Sequence, residues 1–303
     1  MKKLIINLGF ILGVSTMVVG CTDYLDSDYL FEERVNIENV FQSKDYTNEW
    51  LAKGYAYMKH DYLQQVNSKK NTSFNFADDM YYIDLNYVDW KGGNYTEKGL
   101  GSGNSLYIWQ AAYQAIRHVS IFIHNVDSNK ELTEAEITDM KGQAHFLRAY
   151  FYWMLIRSFG PVPIVPDEGV DYTKEYDEIA YPRSTYDECA DYIAEELVKA
   201  ATMLDDERDV QNIVRPTRGA ALALRSRVLL YAASPLYNGN KMYADQINPD
   251  GTPLFPQDYN KELWKRAAEA AQAVIDWAAR AGIVLEQPNP SNPVDNYARL
   301  FYD

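Results

Sequence analysis

The residues best suited to chemistry lie between Asn71 and Gly103, where Tyr81, Tyr82, Tyr87, Trp90 and Tyr95 alternate with Asp78, Asp79, Asp84, Asn86, Asp89 and Asn94. A sugar ring has an apolar C–H face and a rim of hydroxyls, so recognising one calls for flat aromatic surfaces beside short carboxylates and amides. This stretch supplies both. Long irregular stretches inside a compact domain are usually functional or disordered. The reading takes Trp90 first, then Tyr82, Tyr87 and Tyr95, as stacking platforms, with Asp79 and Asn94 exchanging hydrogen bonds with hydroxyls. The alternative is that these rings pack the loop onto neighbouring helices.

Other constellations are weaker. His60, His118, His124 and His145 show no His-Glu-x-x-His spacing, and the pair on one helix is six residues apart, on different faces. No metal and no cofactor is expected. The run Asn248-Pro249-Asp250-Gly251 suggests a calcium loop, but Gln246 and Gln257 then stand where the first and last acidic ligands belong. A turn is the better reading. Gly99, Gly101 and Gly103 lack the Lys-Ser/Thr that a phosphate loop requires. A glycoside hydrolase needs only two carboxylates about 5 to 9.5 Å apart in space, which no sequence displays. It stays as one alternative, and a helical-repeat protein-interaction scaffold as another.

The whole chain frames these residues. Its 303 residues allow one large domain or two ordinary ones, and 47% apolar with 24% charged residues is a globular composition. A net charge of -14 repels a phosphate backbone, so nucleic acid is not an expected partner. The 25 Tyr and 6 Trp against 11 Phe favour rings that carry a polar handle.

Lys2 and Lys3 precede a mostly apolar stretch from Leu4 to Gly20, the layout of an export signal. Val18-Val19-Gly20-Cys21 resembles the lipobox of bacterial lipoproteins, in which the cysteine becomes the lipidated N-terminus. The alternative is a secretory signal with a chance cysteine. The expected division is a signal peptide over 1–20, a tether and N-terminal segment over 21–42, and a helical domain over 43–303. Cys189 is the only other cysteine, and its spacing with Ile193 and Leu197 predicts a buried core residue. Beyond Cys21 the longest apolar run, Phe146 to Ile156, is broken by Arg148, so the mature chain is expected to be tethered and not membrane-spanning.

Periodicity predicts six helices. The first runs from Ser43 to Val66 with Trp50, Leu51, Tyr55, Met58, Tyr62, Leu63 and Val66 on one face, and the second from about Ser105 to Val126. A third opens with the capping box Thr133-x-x-Glu136 and stops at Gly160-Pro161. Its second half is apolar almost all round, which marks it as the central helix, with Phe146, Leu147, Tyr150, Phe151, Met154 and Leu155 buried. Arg148 inside it needs a carboxylate or carbonyl partner. The fourth begins at Ser184-x-x-Asp187 or Thr185-x-x-Glu188 and reaches about Leu204; the alanine-rich fifth spans Thr217 to Ala233 and the sixth about Asn260 to Ala281. The aromatic loop from Leu236 to Tyr259 is expected to be structural. The fold class is mainly α, with tetratricopeptide-like helical hairpins and long irregular aromatic loops.

Several of these runs together resemble SusD/RagB-type outer-membrane lipoproteins. The resemblance rests on Gly142-Gln143-Ala144-His145-Phe146-Leu147-Arg148-Ala149-Tyr150 through Phe159-Gly160-Pro161-Val162-Pro163, and on Thr217-Arg218-Gly219-Ala220-Ala221 leading to Ser234-Pro235-Leu236-Tyr237-Asn238-Gly239. Cys21-Thr22-Asp23-Tyr24-Leu25-Asp26, Trp109-Gln110-Ala111-Ala112-Tyr113 and Trp264-Lys265-Arg266-Ala267-Ala268 extend it in the family's order. Ser120 stands where many relatives have Asn, and Gln143 where many have Glu. Relatives are usually much longer, so the chain looks like an N-terminal fragment. The resemblance implies a lipid-anchored, surface-exposed outer-membrane protein. Such a protein binds oligosaccharides or other nutrients without catalysis and caps a TonB-dependent, SusC-like transporter.

Overall fold

The computed structural model describes residues 37–58, 108–168, 173–284 and 291–299. Its helices are α1 (Ile37–Gln42), α2 (Lys44–Ala56), α3 (Trp109–Asn125), α4 (Glu134–Phe159), α5 (Tyr176–Ile179), α6 (Tyr186–Met203), α7 (Arg218–Ala233), α8 (Lys261–Arg280) and α9 (Pro293–Arg299). Among the described residues there is no strand, only an isolated bridge between Ile247 and Pro253. The main helices stack in chain order: α3 packs on α4, α4 on α6, α6 on α7 and α7 on α8, with α2 against α3 and α4. The architecture is mainly α, of tetratricopeptide type.

Helix starts follow local chemistry. Thr133 Oγ1 accepts the Glu136 amide at 3.2 Å while Glu136 Oε2 accepts the Thr133 amide at 2.8 Å, so two otherwise free N–H groups are satisfied reciprocally. Of the two frames possible before α6, Thr185 with Glu188 forms the box, at 3.2 and 2.7 Å. At the other end of α4, Gly160 takes φ +70, a conformation that side chains rarely adopt, and closes the helix.

The centre of the core is α4. Leu147, Phe151, Met154, Leu155 and Ile156 are buried, while Phe146 and Tyr150, expected with them, are half-buried. These two lie four residues apart on one stripe of α4, packed against the edge of the core. The helix predicted over 43–66 ends at Ala56. Its last amides turn back three residues instead of four, Tyr57 N to Gly54 O at 3.3 Å and Met58 N to Tyr55 O at 2.9 Å. Tyr62, Leu63 and Val66 lie outside the described residues.

Small residues bring the last three helices together. Ala194, Leu229, Ala233, Leu263, Ala267 and Ala270 form a separate buried cluster across α6, α7 and α8. At Gly219 a Cβ would lie 2.1 Å from the Trp277 ring, so only glycine admits this approach of α7 to α8. A second apolar stripe on α8, with Trp264 and Ile275 exposed at 39% and 60%, faces outward.

The loop between α7 and α8 is built on rings. Tyr237 stacks on Tyr186 with centroids 3.9 Å apart, and Tyr243 stacks on Phe255 at 4.4 Å, while Tyr259 is exposed. Asn238 closes the loop by accepting the Asn260 amide at 2.7 Å and donating to Asn260 O at 2.9 Å. Asn248 to Gly251 is a turn, with the Gly251 amide returning to Asn248 O at 2.9 Å.

Candidate functional site

Cys21, Asp79, Tyr82, Tyr87, Trp90, Asn94 and Tyr95 lie outside the described residues. What is described is the frame from which the aromatic stretch departs, at Met58 after α2, and to which it returns, at Ile108 before α3.

That frame is locked by aromatic contacts. Trp50 on α2 and His118 on α3 stack with centroids 4.6 Å apart and planes 5° from parallel. Trp50 Nε1 donates to His118 O at 3.0 Å, and His118 Nε2 lies 2.7 Å from Trp50 O. A carbonyl can only accept, so Nε2 carries the proton. Burial lowers the His118 pKa below the usual value and the Lys53 charge lowers it further, outweighing the Trp50 carbonyl. At the start of α3, the Trp109 ring meets Tyr113 at 5.1 Å and the edge of Phe159 at 5.3 Å, and the Tyr113 hydroxyl donates to Pro163 O at 2.7 Å. Tyr57, Ile108, Ala111, Tyr150 and Met154 line an apolar groove beside both anchor points.

Beneath the frame lies a buried polar network centred on Arg148. Its Nε donates to Glu196 Oε2 at 2.7 Å, Nη1 to Ser120 Oγ at 3.3 Å and Nη2 to Asp167 Oδ2 at 3.4 Å. His145 Nδ1 lies 2.8 Å from Glu196 Oε2, and Lys199 Nζ donates to Oε1 at 2.8 Å. Tyr192 donates to Asp167 Oδ1 at 2.8 Å. Burial alone would raise the Glu196 pKa, but the His145 and Arg148 hydrogen bonds and charges outweigh it and hold the carboxyl below the usual range. Burial likewise opposes the Arg148 charge, and Glu196 more than restores it. Such a carboxylate is a poor proton acceptor, and both of its oxygens are engaged. The network ties α3, α4 and α6 together; it is not a reaction centre.

The other singled-out residues are also structural. Gln143 accepts from Tyr55 Oη at 2.8 Å and donates to Asp139 Oδ2 at 2.7 Å, so the amide keeps a polar contact at this position. His124 Nδ1 lies 2.9 Å from Ser120 O; His60 is outside the described residues. Cys189 is buried and donates to Val162 O at 3.4 Å, and burial pushes its thiol up to about 11. Among the described residues no group of three His, Cys, Asp or Glu is placed to hold a metal, and no helix is long and apolar enough to cross a membrane. Sequence reasoning did not assign Glu196, Asp167 or Tyr192 to Arg148. Glu196 had left a signal, since it falls between the inward Ile193 and Leu197 on the same face.

A family described as starch-binding and associating with the outer membrane matches residues 23–230. Among solved structures, the chain superposes on BT4246 with a TM-score of 0.64 at 24% identity, covering 86% of this chain and 43% of that one. A SusD homolog from Bacteroides thetaiotaomicron VPI-5482 follows at TM-score 0.55 and 18% identity, covering 80% of this chain and 42% of that one. Surface glycan-binding protein A from Bacteroides uniformis gives 0.52 at 17%, covering 77% and 46%. At these identities the likeness shows the fold. The chain spans less than half the length of these relatives. No curated protein matches it. The family match takes in the aromatic stretch, the α4 helix with its Arg148 network and most of α7, and by it the chain belongs to the SusD-like family.

Proposed function

We propose that this protein is a lipid-anchored receptor of the outer-membrane surface that binds oligosaccharides or related nutrients and delivers them, unreacted, to a TonB-dependent, SusC-like transporter. The observation that carries this reading is the family match over residues 23–230, whose description joins starch binding to the outer membrane. The aromatic and acidic stretch from Asp78 to Tyr95 supplies stacking surfaces and hydroxyl partners, and it springs from a frame fixed at Trp50, His118 and Trp109. Cys21 is the proposed lipidation site; a protein held by several acyl chains stays attached where one chain would be marginal.

The purified chain incubated with a panel of glycans tests the reading against its rivals. Binding without new reducing ends supports the receptor. Turnover identifies a hydrolase, and neither binding nor turnover leaves the protein-interaction scaffold. Cys21→Ala is expected to release the protein from membranes, and quantitative retention contradicts the anchor.

A further inference from the structure

The row of stacked helices closes with α8, which packs on α7 through Leu263, Ala267 and Ala270. That contact uses only part of its apolar surface. Trp264, Ala268, Ala271, Ile275 and Ala279 follow at intervals of three and four residues, which sets them on a second stripe about a quarter-turn round the helix, and all five are exposed. A stack of helical hairpins ordinarily ends in an element whose outer face is polar. The outer face of α8 is not.

The order of large and small residues along this stripe makes it complementary to itself. A two-fold axis crossing α8 between Ala271 and Gln272 sets Trp264 opposite the partner's Ala279 and Ile275 opposite the partner's Ala268, so each bulky side chain meets a methyl. Lys261, Lys265, Gln272 and Asp276 line one border of the stripe and are exposed. The same axis brings that border against its own copy, with Lys265 and the partner's Asp276 about 3 Å apart along the helix direction. The charges then attract. The exposed surface of α8 carries Lys261, Lys265 and Arg280 against Glu262, Glu269 and Asp276, so it is locally neutral on a chain of net charge -14 and does not repel a second copy. Antiparallel helix dipoles also favour this arrangement.

We propose that the outer face of α8 is a self-association surface, on which two copies of this chain pair α8 against α8, antiparallel, through Trp264, Ala268, Ala271, Ile275 and Ala279. A helix pair about 30 Å long buries less than the roughly 1,600 Å² of a standard interface, so the dimer is weak and forms at about tens to hundreds of micromolar. It requires neither a glycan nor a transporter, and it stands or falls apart from the receptor reading.

The test is sedimentation equilibrium of the full chain carrying Cys21→Ala, which leaves buried Cys189 as its one thiol. The expected result is a mass that rises from one copy toward two across that concentration range. Ile275→Asp should raise the concentration required at least tenfold, because the residue enters a two-fold interface twice, with helical circular dichroism unchanged. Lys265→Glu should weaken the dimer, and adding Asp276→Lys should restore it. Under mild oxidation Ala271→Cys should link two copies and Ala279→Cys should not, since the two copies of residue 279 lie about 22 Å apart in the antiparallel pair. A monomer at every concentration, whether the stripe stays bare or a segment of the same chain takes it, overturns the proposal. So does a dimer that survives Ile275→Asp, a charge swap that restores nothing, a failure of Ala271→Cys to link, or ready linking through Ala279→Cys.

Discussion

Arg148 Nε and Glu196 Oε2 meet at 2.7 Å with their side chains 1% and 0% exposed, one from α4 and the other from α6. Neither charge could be buried alone, since an uncompensated ion in the interior costs several kcal/mol. The pair therefore fixes the register of α4 against α6, and Ser120 and Asp167 extend the same lock to α3 and to the segment after α4.

Removing one partner should be far worse than removing both. Arg148→Met or Glu196→Leu alone is expected to cost about 3–5 kcal/mol, because each leaves a buried charge without its main partner. The double variant Arg148→Met, Glu196→Leu should recover much of that loss. Urea unfolding of the four proteins in a double-mutant cycle checks this, and additive losses would show that the two residues do not act as a pair.

The pair also sets a pH dependence. The folded-state pKa of Glu196 is depressed, so its contribution is fully present above the unfolded carboxyl value of about 4.3 and is lost as pH falls through the folded value. Glu136, held at about 2 by Lys44 and then by Thr133, acts in the same direction from the surface. Stability of the wild-type chain should therefore fall steeply below about pH 4. Glu196→Gln should flatten that fall while lowering stability at neutral pH. Parallel pH profiles for the two proteins would remove Glu196 from the account.

Gly219 is expected to accept no side chain. A Cβ there would lie 2.1 Å from the nearest atom of the Trp277 ring, whose Nε1 donates to Asp206 at 2.8 Å. Gly219→Ala should cost about 1–3 kcal/mol as an overpacked helix contact and break the Trp277 bond as α8 moves aside. Thermal melts with tryptophan emission measure both. A variant with wild-type stability and emission would show that α7 and α8 do not approach this closely.

Much of the helical scaffold was legible because its signals are local. The Thr133 and Glu136 box, the Gly160 stop and the inward Cys189 each follow from a few neighbouring residues, and each stands where periodicity put it. What was illegible depends on packing partners. Periodic spacing carried the first helix on to Val66, whereas the backbone tightens after Ala56. Phe146 and Tyr150 carry the same apolar signal as Leu147 and Phe151, and only the positions of α3 and α6 separate the two pairs. The Arg148 partner required knowing that α4 and α6 are neighbours. The proposed platforms from Tyr82 to Tyr95 and the anchor at Cys21 lie outside the described residues, so composition and family resemblance carry them.

The central claim is that the stretch from Asp78 to Tyr95 holds a glycan, and calorimetry with oligosaccharides tests it most directly. Trp90→Ala should weaken binding several-fold, in line with about 1–2 kcal/mol for one aromatic platform, while the helical circular dichroism stays unchanged. The triple variant Tyr82→Ala, Tyr87→Ala, Tyr95→Ala should weaken it further. Unchanged affinity in both variants would contradict the account and remove this stretch from the site.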